Sequence, residues 1–202
     1  MKGAILIITG PSGCGKSSLL KEVFKKEKNI YFSISTTTRK KRDGEVEGKD
    51  YHYIDEEEFK QDIENGLFLE WAKVHGNYYG TSLISVIKAL KKGELVIFDI
   101  DVQGHKAINE RFKSITTSLF ISTKDQITLQ KRLQNRGTDT PKSVETRLKN
   151  AVSEMTNIKN FHYLLINDDF EKTLKNLLTI IKSARLKNKM YNIDDFLVDW
   201  IE

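Results

Sequence analysis

Hydrophobic and polar positions along the chain form a pattern that predicts strands separated by helices. Residues 4–9 are almost all apolar and mostly β-branched, which is typical of a strand buried on both faces. Apolar residues then return at helical spacing over residues 17–28. Later strands are expected at residues 30–34, 95–99, 118–121 and 163–166, and later helices at 82–92, 102–111, 124–136, 141–157 and 170–189. Such alternation predicts an α/β fold, with a parallel sheet flanked by helices.

Residues 35–81 interrupt this alternation, because they are polar and rich in glycine. They carry one short helix pattern at 55–65 and strand patterns near 51–54 and 69–74, which indicates a mixed α+β subdomain inserted into the sheet domain. We expect a single domain with four parts. These are a core of residues 1–34, 82–123 and 159–189, the insert of 35–81, a short helical lid of 124–158 and an amphipathic tail of 190–202.

Composition narrows the classes of protein that fit this pattern. The 202 residues can bury a core without disulfides, and the single Cys excludes both an internal disulfide and a cysteine-based zinc site. One Cys favours a reducing compartment, so we expect a cytoplasmic protein. The apolar run near the start is too short to span a membrane. The net charge of +5 suggests anionic partners, and the four His show no metal-binding spacing.

Residues 10–17 read G-P-S-G-C-G-K-S and match the phosphate-binding pattern G-x-x-x-x-G-K-[ST]. Glycines let backbone N–H groups turn toward phosphate oxygens, and the helix that follows directs its positive end at them. In such a loop Lys16 would reach the β- and γ-phosphates, and the Ser17 hydroxyl would bind Mg²⁺. The position between a buried strand and a helix favours this interpretation over an ordinary glycine-rich turn.

Further motifs follow in a fixed order. They are S-T-T-T-R-K-K-R-D-G-E at 35–45, G-K-D-Y at 48–51, E-W-A at 70–72, G-N-Y-Y-G-T at 76–81, D-I-D-V-Q-G at 99–104, R-L-Q-N-R-G-T at 132–138 and N-D-D at 167–169. In these motifs and the phosphate loop, the chain closely resembles guanylate kinases, over residues 3–185. One departure is Lys41, at a position where the family often has Pro.

The resemblance implies an ATP site and a set of catalytic cations. The residues implied in ATP binding are Gly10, Pro11, Ser12, Gly13, Cys14, Gly15, Lys16, Ser17, Ser18, Arg136 and Asn167. The residues implied in catalysis are Lys16, Arg132, Arg136 and Arg147. The arginines would close over the triphosphate and stabilise charge on the transferring group. Alternatively, they would only form salt bridges on the helix surface. Cys14 is expected to have no chemical role in the loop. Because it lies within the loop, a thiol-modifying reagent is expected to test this site directly.

The resemblance also implies a GMP site in the insert. The residues implied are Ser35, Arg39, Arg42, Tyr51, Glu70, Tyr79, Thr81 and Asp99. The two arginines would bind the phosphate, Glu70 would accept from the guanine N–H groups, and hydroxyls would donate to the guanine carbonyl. Asp99 would lie near Mg²⁺ with Ser17. Considered alone, the basic residues of this loop could equally form a solvated surface loop or a nucleic-acid patch instead of a phosphate site.

The implied activity is transfer of a phosphoryl group from ATP to GMP, and to dGMP, with Mg²⁺ and without a general base. Its alternative is a non-catalytic protein-interaction module of the same family, which usually lacks the loop Lys or the lid arginines. No nucleic acid or membrane partner is expected.

Two features lie outside these assignments. Asp101 is either a functional carboxylate or the cap of the helix that follows it. In the tail, residues 193, 196, 197, 200 and 201 share one face of a helix. That face is expected to pack on the protein's own core, with a homodimer contact as the alternative.

Overall fold

The computed structural model describes residues 2–74, 76–135 and 140–201. Within them the elements follow the predicted alternation of strands and helices. Their bounds are β1 (Ala4–Thr9), α1 (Lys16–Lys26), β2 (Ile30–Phe32), β3 (Thr36–Thr37), β4 (His52–Tyr53), α2 (Glu56–Glu64), β5 (Phe68–Val74), β6 (Asn77–Ser82), α3 (Leu83–Lys91), β7 (Leu95–Asp99), α4 (Val102–Phe112), β8 (Thr116–Ser122), α5 (Gln126–Gln134), α6 (Pro141–Met155), β9 (Tyr163–Ile166), α7 (Phe170–Ala184) and α8 (Ile193–Ile201).

The central sheet has the strand order β2-β7-β1-β8-β9, and all its neighbouring strands pair in parallel. All of β1 is buried, as expected for a central strand covered by helices on both faces. On one face, Leu6 and Ile8 pack with residues of α1 and α7. On the other, Ile5 and Ile7 pack with residues of α3 and α4. The predicted α/β fold with a flanked parallel sheet is confirmed.

A second sheet, with the order β4-β3-β6-β5, forms from residues 36–82. Its centre is apolar, because Phe59 of α2 is fully buried and stacks on Phe68 with ring centroids 4.3 Å apart. The sequence pattern predicted β4, α2 and β5 but neither β3 nor β6. Strand β3 has only two residues, and β6 reads N-Y-Y-G-T-S, so neither shows a clear apolar alternation.

The C-terminal segment departs from the expectation for the tail. Helix α7 ends at Ala184, five residues earlier than predicted, and buried Met190 lies in a short 3₁₀ turn before α8. On α8 the exposed fractions are 57% for Phe196 and 75% for Trp200. The expectation that this face packs on the protein's own core is therefore wrong. A search of the described helices finds none with the length and apolar character needed to cross a membrane.

Asp101 caps α4. Its Oδ1 accepts hydrogen bonds from the N–H groups of Gln103 at 3.0 Å and Gly104 at 2.8 Å. Gly104 is closely packed, since a Cβ there would lie 3.2 Å from the end of the Ile100 side chain. Of the two roles considered for Asp101, the structure thus shows the capping role.

Replacing this cap should destabilise the protein without altering its fold. We expect Asp101→Ala to lower the free energy of unfolding by about 1 kcal/mol, because two N–H groups at the start of α4 lose their acceptor. Urea unfolding monitored by circular dichroism measures the change. Asp101→Ser is the matched control, since serine also caps helices and should recover most of the loss. Equal stability of wild type and Asp101→Ala would contradict the capping role.

Candidate active site

The loop between β1 and α1 contains three glycines with positive φ: Gly10 at 149°, Gly13 at 96° and Gly15 at 99°. A Cβ at Gly10 would overlap the backbone carbonyl oxygen of Ile121 in β8, so a glycine is required where the loop leaves the sheet. No side chain among the described residues caps the first turn of α1. The backbone N–H groups of that turn are therefore available to an anion.

Lys16 lies at the start of α1 with its ammonium group directed into this loop. Nζ donates to the carbonyl oxygens of Gly10 at 2.5 Å and Pro11 at 3.4 Å. It also lies 3.9 Å from Oδ1 of Asp99, at the end of the neighbouring strand β7. The cavity at this point has a volume of about 260 Å³ and is lined by Pro11, Ser12, Gly13, Gly15, Lys16, Ser17 and Asp99. Ser18 is exposed on the same turn of the helix.

Ser17 and Asp99 line the same cavity and supply one hydroxyl and one carboxylate oxygen. Burial raises the pKa of Asp99, and the nearby Lys16 opposes that rise. Within the described residues, no group of three or more His, Cys, Asp or Glu could form an all-protein metal cage. The Ser17 hydroxyl and the Asp99 carboxylate fit Mg²⁺, which is usually held by one or two protein oxygens together with substrate phosphates.

Cys14 is fully buried beneath the loop, and burial raises the pKa of its thiol. It is thus protected from reagents in solution, which contradicts the idea that a thiol reagent could report on the loop directly. Its backbone carbonyl has a structural role instead. The oxygen accepts hydrogen bonds from Asn167 Nδ2 at 2.8 Å and from the guanidinium of Arg132 at 3.4 Å.

Arg132, on α5, and Asn167, directly after β9, form a bracket around the loop, because both donate to the Cys14 carbonyl. The guanidinium of Arg132 also donates to the carbonyl oxygen of Asn167 at 2.7 Å. A Cβ at Gly15 would overlap Asn167 Nδ2, so glycine is needed here too. Asn167 was expected to bind ATP, and Arg132 was expected to act in catalysis as one of the lid arginines. The structure brings them to the edge of the phosphate loop, where their hydrogen bonds are to backbone carbonyls.

The lid side contributes Arg147 of α6, whose guanidinium lies 2.5 Å from the Oγ of Ser12 in the phosphate loop. Thr140 caps α6 by accepting from the Ser143 N–H, and Pro141 occupies the first helical position, as that sequence indicates. Arg136, the remaining predicted lid arginine, lies outside the described residues.

In the insert, Arg39 lies among tyrosines. Its guanidinium is 5.4 Å from the ring centre of Tyr51, and the rings of Tyr51 and Tyr79 pack edge to face at 5.8 Å. The structure thus brings together three of the residues predicted to bind a phosphate. Arg42 lies in the same loop, where its backbone N–H donates to Glu45.

Glu45 organises this loop, and the sequence interpretation did not assign it a role. Its carboxylate accepts from the Arg39 guanidinium at 2.6 Å, from the Arg42 N–H at 2.8 Å and from the Tyr53 hydroxyl at 2.7 Å. These donors hold the pKa of Glu45 down at about 2, with Arg39 as the largest cause. Burial, together with the bond to Glu45, raises the pKa of Tyr53 to about 12. A signal was present in the spacing R-x-x-R-x-x-E, which places a carboxylate near both arginines.

Glu70 of β5 faces Thr81 of β6, and the Thr81 hydroxyl donates to Glu70 Oε1 at 2.6 Å. Burial raises the pKa of Glu70, because the side chain is largely withdrawn from water. Such a carboxylate gains most from a ligand that brings N–H donors to it. Ser35 lies just before β3, where its backbone carbonyl accepts from the His52 N–H.

Charged residues of the insert, the lid helix and the phosphate loop interact electrostatically. Asp101 interacts electrostatically with Glu70 of the insert and with Glu154 of α6. Glu154 in turn interacts with Lys16 of the phosphate loop. The phosphate loop, the lid helix and the insert thus carry charged groups that influence one another.

Known proteins resemble this chain in both sequence and fold. The model of the guanylate kinase family matches residues 2–184. The guanylate kinase of Wolinella succinogenes is 50% identical over 199 residues, which cover 98% of this chain and 93% of the relative. That of Sulfurimonas denitrificans is 52% identical over 198 residues, covering 98% and 96%.

Among solved structures, the crystal structure of guanylate kinase from Anaplasma phagocytophilum superimposes with a TM-score of 0.74 at 30% identity. The match covers 97% of this chain and 94% of the other. A family match over nearly the whole chain, relatives at half identity and a cleft with a phosphate loop on one side all agree. The chain belongs to the guanylate kinase family.

Proposed function

We propose that this protein transfers the γ-phosphoryl group of ATP to GMP, giving ADP and GDP, and that it accepts dGMP in the same way. The observation that carries the proposal is that one domain holds both a phosphate-loop cavity with Lys16 in it and a partly buried Glu70–Thr81 pair in the insert. The cavity suits a triphosphate, and the pair suits a base with N–H donors. The reaction belongs to purine nucleotide metabolism.

On the ATP side, backbone N–H groups of the phosphate loop and of the first turn of α1 surround the β- and γ-phosphates, and Lys16 neutralises their charge. In the structure, Lys16 Nζ donates hydrogen bonds to the carbonyl oxygens of Gly10 and Pro11. ATP binding replaces these carbonyl oxygens with phosphate oxygens. Asn167 and Arg136 border the adenine.

On the GMP side, Arg39 and Arg42 bind the phosphate, and the Tyr51 and Tyr79 hydroxyls donate to it. Glu70 accepts from the ring N–H and exocyclic amine of guanine, while Thr81 and Ser35 donate to the guanine carbonyl oxygen. Adenine cannot present the same donors at that edge. A buried carboxylate left without donors is costly, so this pair selects guanine.

Transfer of the phosphoryl group requires alignment and charge neutralisation more than covalent chemistry by the protein. Lys16 and Arg147 approach from the loop and the lid, and Arg132 adds positive charge at the same edge. Arg136, which lies outside the described residues, is assigned to the same task by the family resemblance. Mg²⁺, held by Ser17 and Asp99, supplies charge neutralisation at the phosphate oxygens when bound. Closure of the lid excludes water, which would otherwise compete with GMP for the phosphoryl group.

The alternative, a non-catalytic interaction module, is not favoured. The chain retains Lys16 and Ser17 in the phosphate loop and all three lid arginines, which such modules usually lack. The relatives at half identity are named as guanylate kinases over nearly their whole length.

The cellular setting and the assembly extend this proposal. We assign the protein to the cytoplasm, where ATP and GMP are available and a free thiol stays reduced. We also assign the exposed face of α8 to a homodimer contact. Phe196 and Trp200 lie 6.1 Å apart on it, and neither is covered by the chain itself.

Measuring ADP formation with ATP–Mg²⁺ and each of GMP, dGMP, AMP, CMP and UMP tests the proposed reaction. We expect turnover with GMP and dGMP only. Glu70→Gln should reduce kcat/KM for GMP by about 100-fold, because the amide replaces one acceptor with a donor that opposes the guanine N–H groups. Lys16→Met is the inactive control for contaminating kinases. No turnover with GMP, or an unchanged Glu70→Gln, would overturn the respective assignment.

Replacing Glu45 should weaken GMP use selectively. We expect Glu45→Ala to raise KM for GMP at least tenfold, since Arg39 and Tyr53 lose the carboxylate that orients them, and to leave KM for ATP unchanged. Because its pKa of about 2 lies below the ordinary value, the carboxylate loses its stabilising charge only under strongly acidic conditions. Steady-state kinetics from pH 5 to 8 should therefore show a KM defect that is constant with pH. Glu47→Ala, in the same loop, is the control, and equal defects in both variants would contradict the role of Glu45.

Removing the apolar face of α8 should change the mass in solution and leave the fold intact. We expect the full chain to be a dimer at micromolar concentration and the double variant Phe196→Ser, Trp200→Ser to be a monomer with an unchanged melting temperature. Light scattering coupled to size-exclusion chromatography measures both masses. Asp194→Ser on the same helix is the control. A monomeric full-length protein would contradict the dimer.

A further inference from the structure

The lid helix α6 returns to the central sheet through a short connection, residues 156–162. A 3₁₀ turn, Ile158–Asn160, lies within it. After this turn, Phe161 packs edge to face on Phe120 of β8, with ring centroids 5.3 Å apart. His105 of α4 stacks on the same Phe161 ring, with centroids 4.1 Å apart. A single aromatic ring thus fixes the connection to both the sheet and α4.

His162, the last residue of this connection, is joined to Ser118 of β8 by several hydrogen bonds. Its backbone N–H donates to the Ser118 carbonyl oxygen at 3.1 Å. In the other direction, the Ser118 backbone N–H donates to His162 Nδ1 at 3.0 Å, and the Ser118 hydroxyl lies 2.8 Å from the same nitrogen. The regular pairing of β8 with β9 starts one residue later, at Leu119 and Tyr163. The imidazole therefore serves as an acceptor at the very start of this pairing.

These bonds define which nitrogen of His162 carries the proton when the ring is neutral. Because the Ser118 N–H donates to Nδ1, that nitrogen is an acceptor, and the ring proton lies on Nε2. A second proton can bind only at Nδ1, the atom that the hydrogen bond uses. Ser118 is fully buried, so its N–H cannot turn to water when the bond is lost. His162 itself is exposed, which gives protons from solution access to its ring.

The groups around His162 also oppose a positive charge on its ring. Lys187, which follows α7, interacts with the ring, and its Nζ donates to the carbonyl oxygen of Thr116, two residues before Ser118. His105 is the other titratable group that interacts with His162. In the described part of the chain, no carboxylate offsets these two groups. Partial burial and the charge of Lys187 therefore lower the pKa of His162 below its ordinary value.

We propose that His162 is a pH-sensitive latch between the lid helix and the central sheet. The latch is closed while the imidazole is neutral and accepts from Ser118, and it opens when Nδ1 binds a proton. Opening frees the connection behind α6, which carries Arg147, and unpairs the start of β9, which leads to Asn167. In acid, the lid and the bracket around the phosphate loop therefore lose a common support.

The lowered pKa of His162 sets the direction of the pH effect. In the unfolded chain the ring titrates near its ordinary value of about 6.5, whereas the folded protein binds the proton only at lower pH. The contribution of the latch to stability is complete above the unfolded-state value and is lost as the pH falls through the folded-state value. Burial raises the pKa values of Glu70, Asp99 and Glu154, and these carboxyl groups affect stability in the opposite direction. A variant that does not titrate at position 162 is therefore needed to isolate the latch.

Hydrogen exchange of single amides tests the latch in the full-length ¹⁵N-labelled protein. After correction for the intrinsic pH dependence of exchange, we expect protection of the Ser118 and His162 amides to fall at least tenfold between about pH 7.5 and about pH 5. His162→Asn is the decisive variant, because the asparagine Oδ1 can accept the same bond without titrating. Its protection at the Ser118 amide should be equal at both pH values. His52→Asn, which removes a histidine of the insert, is the matched control and should behave as wild type.

Nitrogen-15 spectra of the imidazole rings in the wild type supply a second measurement. We expect neutral His162 to carry its proton on Nε2 and to titrate below the ordinary value of about 6.5. The proposal is overturned if Nδ1 carries that proton, or if the Ser118 amide keeps its protection in acid in the wild type. Loss of protection in acid by His162→Asn, to the same extent as in the wild type, would also overturn it. If His162→Asn does not fold, the position of the ring proton and the pKa of His162 in the wild type are the deciding measurements.

Discussion

The carbonyl oxygen of Cys14 is the point on which the arrangement of the site depends. It accepts hydrogen bonds from Asn167, just after β9, and from Arg132, on α5. Through this one acceptor, the phosphate loop is tied to the end of the sheet and to the first lid helix. Because the acceptor is a backbone carbonyl, the bracket fixes the path of the chain without using the loop N–H groups. The glycines at positions 10 and 15 follow from the same constraint, since the loop passes too close to Ile121 and Asn167 to carry side chains.

The insert uses a different principle to hold its ligand-binding groups. Here a carboxylate, Glu45, orients a cation and a hydroxyl before any phosphate arrives. Arg39 is therefore held in position by an ion pair and by the tyrosine ring beside it, so less side-chain freedom is lost when GMP binds. Glu70 and Thr81, which we propose bind the base, form the corresponding pair and are connected across two antiparallel strands. Both pairs depend on the four-stranded sheet, whose core around Phe59 is separate from that of the central sheet.

The sequence predicted most of the central sheet, because a strand buried on both faces must be apolar throughout and β1 meets that condition. It also predicted the phosphate loop, whose glycines and lysine are needed at fixed spacing. It could not predict β3 or β6, since short polar strands are stabilised by pairing with neighbours that are distant in sequence. Nor could it distinguish Glu45 from the other acidic residues, because its role appears only where the fold brings Arg39, Arg42 and Tyr53 around it. The helical period of α8 was predicted correctly, yet periodicity alone does not say which surface covers an apolar face.

The burial of Cys14 has a practical consequence. It is the only cysteine of the chain, and its thiol is inaccessible in the folded protein. A cysteine introduced at the surface would therefore be the sole site for a fluorophore or spin label, with no need to remove a native residue. Pairs of such labels, one on α6 and one on α2, would report the opening and closing of the cleft in single molecules. Intermolecular disulfides, which often complicate such work, have no native thiol from which to form while the protein stays folded.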